Sequence, residues 1–410
     1  MFAALILAAQ LTAVTVPPPS RAPLTLAAAV TQARTTSPRR QAAALIAQGA
    51  RDAAQHSGRP LNPIVEFQSE NWTPWSGSSP GPPLDVFAVV TQPFELGGKR
   101  SGRRQLATFE GEVASAAEQA LERTLAMETV RAYVRALRAR ALLDTLTTNR
   151  DGLTMLVATV SRQVDEGYSA ESDLLKFRTE AARVDVDVAR ARLDLERSLT
   201  ALAIAIGTTV PIQAAQLVEP PAIAPPSADA AAIAASVARH PEVRSAAATV
   251  NRAHQITAIE RARRVPDPAV TLGYKRTAGF DTAVLGVAVA VPLFDRNSAA
   301  LARSFGEERG AIAGRDALVQ ALTTEAESLI HAAQTISARA ELAREELLAP
   351  AEGVRRAALS TFREGTTDVL RLIDAERVYA DVQRATVDLR LDALQATIEA
   401  RFALGEETIP

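Results

Sequence analysis

Between Pro93 and Pro211 this chain contains no proline, and after Pro292 only Pro350 and the terminal Pro410 follow. A proline inside a helix removes a backbone hydrogen bond and clashes with the preceding turn. Its absence over such stretches permits very long helices, predicted here over 99–165 and 297–363, with a bend expected at Pro350. At 1.5 Å per residue each would run about 100 Å. Two shorter predicted helices in each half, 25–58 with 170–206 and 228–264 with 367–404, add up to about the same length. Stacked end to end they could run beside the long one, which makes a cylinder wall rather than a compact domain. Composition agrees: hydrophobic residues are 47% but aromatics only 4%, so the apolar content is mostly Ala, Leu and Val. Such a mixture suits long helices packed closely together.

The prolines also reveal one unit written twice. Ser37-Pro38 leads to Asn62-Pro63-Ile64-Val65, and His240-Pro241 leads to Asp267-Pro268-Ala269-Val270. Gln92-Pro93-Phe94 corresponds to Val291-Pro292-Leu293, Glu166-Gly167 to Glu364-Gly365, and Gly207 to Gly405. An internal repeat of this kind governs the whole fold. Each half reads helix, strand, strand, long helix, shorter helix. The expected domains are a leader and irregular start over 1–23, a first repeat over 24–209 and a second over 228–410. Their hairpins are placed at 64–94 and 269–293. The Pro-rich stretch 210–227, with Pro211, Pro220, Pro221, Pro225 and Pro226, reads as the linker.

Helical seams are visible in Val130, Val134, Leu137 and Ala141 and in Val378, Val382, Ala385 and Leu389, at the alternating three and four spacing of a coiled coil. Arg131, Arg135, Arg138 and Arg140 fill the other faces of the first. Glu376, Arg377, Asp381 and Arg384 fill those of the second.

The four predicted strands, 64–72, 84–94, 269–277 and 283–293, are about nine to eleven residues long. Val65 and Phe67 oppose Glu66, Gln68 and Glu70; Val270, Leu272 and Tyr274 oppose Thr271, Gly273 and Lys275; Leu285, Val287, Val289 and Val291 oppose Gly286, Ala288 and Ala290. In the second strand Val86, Phe87, Val89 and Val90 are apolar on both faces, so its orientation stays open. Length and alternation fit membrane β-strands. Phe67, Trp72, Trp75, Phe87, Tyr274 and Phe280 gather in the hairpins, where rings suit the lipid–water boundary. The alternative is a small soluble hairpin domain capped on helices. Four strands cannot close a barrel, and lipid does not tolerate open edges, so the membrane reading requires several copies of the chain. Three would supply about twelve strands.

Several functions are disfavoured. Net charge is −2, which offers nothing to nucleic acid. No cysteine is present, and the four histidines are scattered without an i, i+4 pair, so neither a metal centre nor any other cofactor is expected. Gly97-Gly98-Lys99-Arg100 suggests a phosphate loop, but the full G-x-x-x-x-G-K-[ST] pattern is missing. It reads instead as a strand-to-helix turn whose cations lie near headgroups or a barrel rim, with Asp295-Arg296-Asn297 as its counterpart. No catalytic constellation is found, and a passive, non-enzymatic role is expected. Residues 2–9 form a short apolar run like the core of a secretory signal, without a basic start.

The ordered set of segments resembles the TolC-like outer-membrane efflux proteins, most closely their cobalt–zinc–cadmium branch. It is carried by Gln92 to Arg100, by Val291 to Asn297, and by Phe362-Arg363-Glu364-Gly365-Thr366-Thr367-Asp368-Val369-Leu370 leading to Asp374-Ala375-Glu376-Arg377. The resemblance spans nearly the whole chain after the leader. It implies a homotrimer with a 12-stranded barrel in outer-membrane lipid and a long α-helical barrel in the periplasm. It also implies a periplasmic adaptor and an inner-membrane pump of the resistance–nodulation–division type as partners. Many relatives in that branch carry a lipidated Cys, which this chain lacks.

Two readings compete with an efflux channel: the outer-membrane channel of type I protein secretion, and a soluble periplasmic coiled-coil scaffold. Glu166-Gly167-Tyr168-Ser169 and Glu364-Gly365-Thr366-Thr367 should be the helix–helix turns, with Gly past a helix end and Ser or Thr capping the next. By architecture and resemblance they would be the periplasmic tips that meet the adaptor. Asp374 falls where the resemblance places an acidic ring narrowing the periplasmic mouth, and Asp368 is a second candidate. Arg371 could pair with Asp374 on the helix surface.

Overall fold

The computed structural model describes residues 22–71 and 84–406, with nine α-helices and four β-strands among them. The apolar run at 2–9, Trp72 and Trp75 lie outside the described residues. The chain divides into two compact units.

One unit is helical and comprises residues 22–40, 122–233 and 325–406. It contains α1 (Leu26–Thr36), most of α3 (Lys99–Asp165), α4 (Glu171–Ile206), the end of α7 (Ser298–Ala343), α8 (Ala349–Arg363) and α9 (Val369–Ala403). α3 is unbroken for 67 residues, at the predicted limits. Its counterpart is not continuous: a single π turn, Arg344–Leu348, separates α7 from α8 directly before Pro350. The Pro350 ring cannot donate to the preceding turn, and the backbone widens there.

Among the described residues, three apolar clusters pack this unit. The largest joins Leu26 and Val30 of α1, Val130, Tyr133, Val134 and Leu137 of α3, Leu202 and Ile206 of α4, and Leu391, Ile398 and Phe402 of α9. The first predicted seam is therefore core through Leu137. The second is not: Val378 is 45% exposed and Ala385 is exposed, while α9 buries Leu372 and Ile373 at one end and Leu391 and Leu394 at the other. The tertiary packing selects a different stripe from the one that spacing alone suggested. The buried Tyr133 hydroxyl lies 2.7 Å from Leu24 O and 2.6 Å from Val218 O, and it accepts from Val218 N at 3.0 Å. It thereby ties the start of the first repeat and the linker, which meet in a short parallel bridge at Leu24 and Leu217, to α3.

The other unit comprises residues 41–71, 84–121 and 234–324. It holds most of α2 (Pro38–His56), the end of α5 (Ala230–Arg239), α6 (Pro241–Ala262), the start of α3, much of α7 and the sheet. The predicted helices 25–58 and 228–264 are each two helices, broken at Ser37 and His240. Both residues precede a proline, which pushes them to extended ψ values of 126° and 134°. The strands are β1 (Ile64–Glu70), β2 (Asp85–Pro93), β3 (Pro268–Thr277) and β4 (Phe280–Val289), all antiparallel in the order β1-β2-β3-β4. β4 starts and ends earlier than 283–293, because β3 and β4 are joined by the two-residue turn Ala278–Gly279, both at positive φ. Ala is a rare choice there and left no signal in the sequence.

Candidate functional site

Register settles which side chains share a face of the sheet. Val65 pairs with Val90, Val90 with Leu272 and Leu272 with Leu285; Phe67, Ala88, Tyr274 and Ala283 form the next such row. Opposite residues on neighbouring strands point the same way, so one face carries Val65, Phe67, Val86, Ala88, Val90, Val270, Leu272, Leu285 and Val287, with Ser69, Arg276 and Asp281 at its turn end and Gln92 at the other. The other carries Glu66, Gln68, Glu70, Asp85, Thr91, Thr271, Lys275 and Thr282. Val65, Phe67, Leu272, Leu285 and Val287 are all more than half exposed. Such an exposed apolar sheet face is foreign to a water-bathed surface.

The open question of β2 is thereby answered: Val86, Ala88 and Val90 belong with the apolar face. Phe87 belongs with the polar one, where Lys275 Nζ sits 4.6 Å from its ring centroid. Phe280, opposite Thr277, also lies on the polar side. Of the hairpin aromatics, Phe67 and Tyr274 thus share the apolar face, and Phe87 and Phe280 lie on the opposite one. Period-two alternation breaks down where both faces of a strand are apolar, and only pairing partners decide.

The strand-to-helix turns are structural ties. Gly97 and Gly98 have φ of 69° and 79°, and a Cβ on Gly97 would come within 2.9 Å of Val265 Cγ2. Glycine is required by both conformation and space. Lys99 is buried. Its Nζ donates to Val265 O at 2.6 Å and pairs with Asp267 Oδ2 at 2.7 Å, while Asp267 Oδ1 accepts from Leu96 N at 2.9 Å. Arg100 is exposed and donates to Gly58 O. In the second repeat Asp295 accepts from Asn297 N, and the Asn297 amide donates to Glu260 O at 2.9 Å and Oε2 at 2.7 Å; Arg296 is exposed.

The two helix–helix turns are alike. Gly167 and Gly365 have φ of 80° and 73°, and the next residue's N–H reaches back five positions, Tyr168 to Gln163 O and Thr366 to Thr361 O. This is the glycine-terminated closure of a helix. Glu166, Tyr168, Glu364 and Thr366 are exposed, Tyr168 by 82%. The expected caps are corrected. Ala170 and Asp368, not Ser169 and Thr367, occupy the N-cap positions, and neither makes a side-chain cap hydrogen bond. Each turn is one residue longer than expected, so the hydroxyls fall outside the cap geometry.

Beneath these turns Val160, Leu174, Phe177, Val369, Leu372 and Ile373 form a cluster, with the Phe177 and Phe362 rings edge to face at 5.8 Å. Beside it an open groove of about 590 Å³ runs between α4 and α9, lined by Ser172, Lys176, Thr179, Glu180, Asp374 and Arg377 among others. Asp368, Arg371 and Asp374 are all exposed on α9 or at its start. Among the described residues Arg371 and Asp374 form no ion pair; the hydrogen bonds to Glu180, and to a smaller extent the charge of Asp374, raise the pKa of Arg377.

The sequence reading missed the centre of this groove. Glu180 is 4% exposed and accepts from Arg377 Nε at 3.0 Å, from Arg377 Nη2, and from Arg183 Nη2 at 2.8 Å. The Arg377 hydrogen bonds hold its pKa down to about 2 against the cost of burial. A signal existed: Leu174, Phe177, Glu180, Val184 and Val188 follow one stripe of α4, so a carboxylate occupies a seam position. Glu376, expected on a solvated face, is instead half-buried, with its carboxylate 3.8 Å from Arg355, and desolvation raises its pKa. The Arg355 guanidinium stacks over Tyr379 at 4.6 Å. Among the described residues no group of three or more His, Asp or Glu could hold a metal ion, and no helix is long and apolar enough to cross a membrane.

Comparisons with known proteins agree with this geometry. A family profile described as outer membrane efflux protein matches residues 29–208 and 232–406, the two repeats. The cobalt-zinc-cadmium resistance protein CzcC of Cupriavidus metallidurans is 28% identical over 295 residues, which are 71% of this chain and 70% of that protein. A membrane protein from Pseudomonas aeruginosa has the same fold, with a TM-score of 0.80 at 17% identity over 94% of this chain and 91% of that one. The outer membrane protein VceC from Vibrio cholerae has a TM-score of 0.76 at 20% identity, over 93% and 96%.

Proposed function

Because the chain belongs to the outer membrane efflux protein family, we propose that it is the outer-membrane exit duct of a tripartite system that expels divalent heavy-metal ions. An inner-membrane pump of the resistance–nodulation–division type supplies the energy, and a periplasmic adaptor joins pump to duct. The similarity to a cobalt-zinc-cadmium resistance protein supports the cargo class.

The observation that carries this reading is the sheet. Among the described residues β1 and β4 are unpaired edges, and one face carries a band of exposed apolar side chains, Val65, Phe67, Leu272, Leu285 and Val287. In lipid every backbone polar group must be paired, so an open sheet cannot stand there alone. Three copies joined edge to edge give about twelve strands, a closed barrel of known size. The apolar face then meets lipid and the face with Glu66, Gln68, Thr271 and Lys275 lines the pore.

The exposed turns at Glu166 to Ser169 and Glu364 to Thr367 are the adaptor contacts in this reading. Asp374, with Asp368 and Arg371, rings the periplasmic mouth, and the Glu180–Arg377 pair holds the two hairpins of each subunit together. Like charges around a narrow axis repel one another and attract cations.

Extraction and planar-bilayer recording test the proposal. A detergent-requiring trimer that conducts ions is expected, with Asp374→Ala raising the conductance. Loss of the gene together with its pump should sensitise cells to divalent metals. A freely soluble monomer without conductance would overturn the duct, and unchanged metal tolerance would overturn the cargo class.

A further inference from the structure

Between α3 and α8, within the helical unit, lies a second cavity of about 210 Å³. Its apolar lining is Met155 and Leu156 of α3 and Leu359 and Phe362 of α8. None of the four is fully buried, and Met155 is 68% exposed. Gly152 opens the α3 wall, since nothing lies within 4 Å of a Cβ built there. An apolar cavity of about 150 Å³ takes up one benzene molecule. The present one is of a size for a single ring with one small substituent.

The charged groups of the lining select that substituent. Arg355 and Arg363 come from α8 and Glu376 from α9, while α3 contributes no charge. Two cations against one carboxylate leave one positive charge uncompensated. The Arg355 guanidinium stacks over Tyr379 at 4.6 Å, which fixes its plane. Its Nε is buried without a hydrogen-bond partner, and its Nη1 comes only within 3.8 Å of Glu376 Oε2. That separation is too long for a hydrogen bond. Buried polar groups are normally paired, so this guanidinium keeps donors that the protein's own groups do not use. A carboxylate suits such a planar fork, because it can accept two parallel hydrogen bonds from it. An amine would have to rely on Glu376, whose charged form is disfavoured by desolvation.

We propose that this cavity binds a small aromatic monocarboxylate, with the carboxylate on the Arg355 guanidinium and the ring between Met155, Leu156, Leu359 and Phe362. The Phe362 ring, held edge to face on Phe177, gives the ligand ring a fixed aromatic neighbour. Met155 supplies a polarizable sulfur that adapts to the ring edge. The site is built within one chain, and it stands or falls independently of the duct reading.

Benzoate binding to the full-length protein in detergent, followed by saturation-transfer NMR, tests the proposal, with benzyl alcohol and benzylamine as probes of the same size. Benzoate should bind at least about tenfold more tightly than benzyl alcohol, the range expected for hydrogen bonds to a charged partner. Benzylamine should bind more weakly than either. Equal affinities, or a preference for the amine, would overturn the site. Gly152→Leu fills the cavity from a position where the added side chain meets no neighbour, and it should abolish benzoate binding. Binding that survives this change belongs to the micelle or to another surface, and would overturn the assignment. Arg355→Met should weaken benzoate binding at least about tenfold. Glu376→Gln removes the competing negative charge and should strengthen it about threefold. Weaker binding in Glu376→Gln would mean that the carboxylate, not the guanidinium, is the recognition group, and the proposal would fail. Should Arg355→Met not fold, the opposite signs expected for Gly152→Leu and Glu376→Gln still decide.

Discussion

α4 and α9 occupy the same place in their repeats, yet they are held differently. α4 buries a residue at three- or four-residue spacing from Leu174 to Ile206. α9 buries residues near Val369 to Ala375 and again from Leu391 to Phe402, with none between Glu376 and Arg390. The long helices differ in step: α3 is continuous, and its partner is broken before Pro350. A duplicated sequence plan has thus produced one stiff hairpin and one compliant one. Symmetry of sequence fixes the kind of element, while local packing density sets its freedom to move.

The largest expected effect would sharpen this contrast. Phe177→Ala removes a fully buried ring from the stiff hairpin and should cost about 3–5 kcal/mol, whereas Val378→Ala on α9 should cost less than about 0.5 kcal/mol. Equal losses in denaturant unfolding would erase the difference between the helices. Next comes pH. Glu180 has a depressed pKa, so its contribution is complete above the ordinary carboxylate value of 4.5 and is lost as pH falls towards 2. The loss should reach roughly 2–3 kcal/mol. In Glu180→Gln that part of the acid sensitivity should vanish; identical acid profiles for the two proteins would show that the hairpins are not tied there.

A third test compares the strand-to-helix turns. Lys99→Met leaves Asp267 without its cation and should cost about 2 kcal/mol, against about 1 kcal/mol for Asn297→Ala. The reverse order in thermal unfolding would make the second turn the firmer one. The smallest effect concerns the tips. Gly167→Ala and Gly365→Ala should each cost about 1 kcal/mol through their left-handed conformation alone, because nothing lies within 4 Å of either added Cβ. Unequal costs would reveal a hidden asymmetry between the turns.

Much of the fold was legible because its signals are local. The limits of α3 followed from proline-free sequence and the Gly-Gly turn before Lys99, and the tip glycines marked both helix ends. The breaks at Ser37 and His240 are equally local, since each precedes a proline. The site was less legible. Asp374 and the tip residues were marked by resemblance, while Glu180 reads as one more helix charge until its position on an apolar stripe is weighed.

By itself the sequence determined the doubled plan, the helix lengths and the two-faced strands, because backbone chemistry and side-chain periodicity act within a few residues. Only the tertiary structure decided that Phe87 joins the polar face, that Lys99 is buried on Asp267, that α9 packs by its ends, and that Glu180 meets Arg377. Each of these depends on partners far away along the chain. Which partner wins is set by desolvation and packing of the assembled helices and strands, which no local pattern encodes.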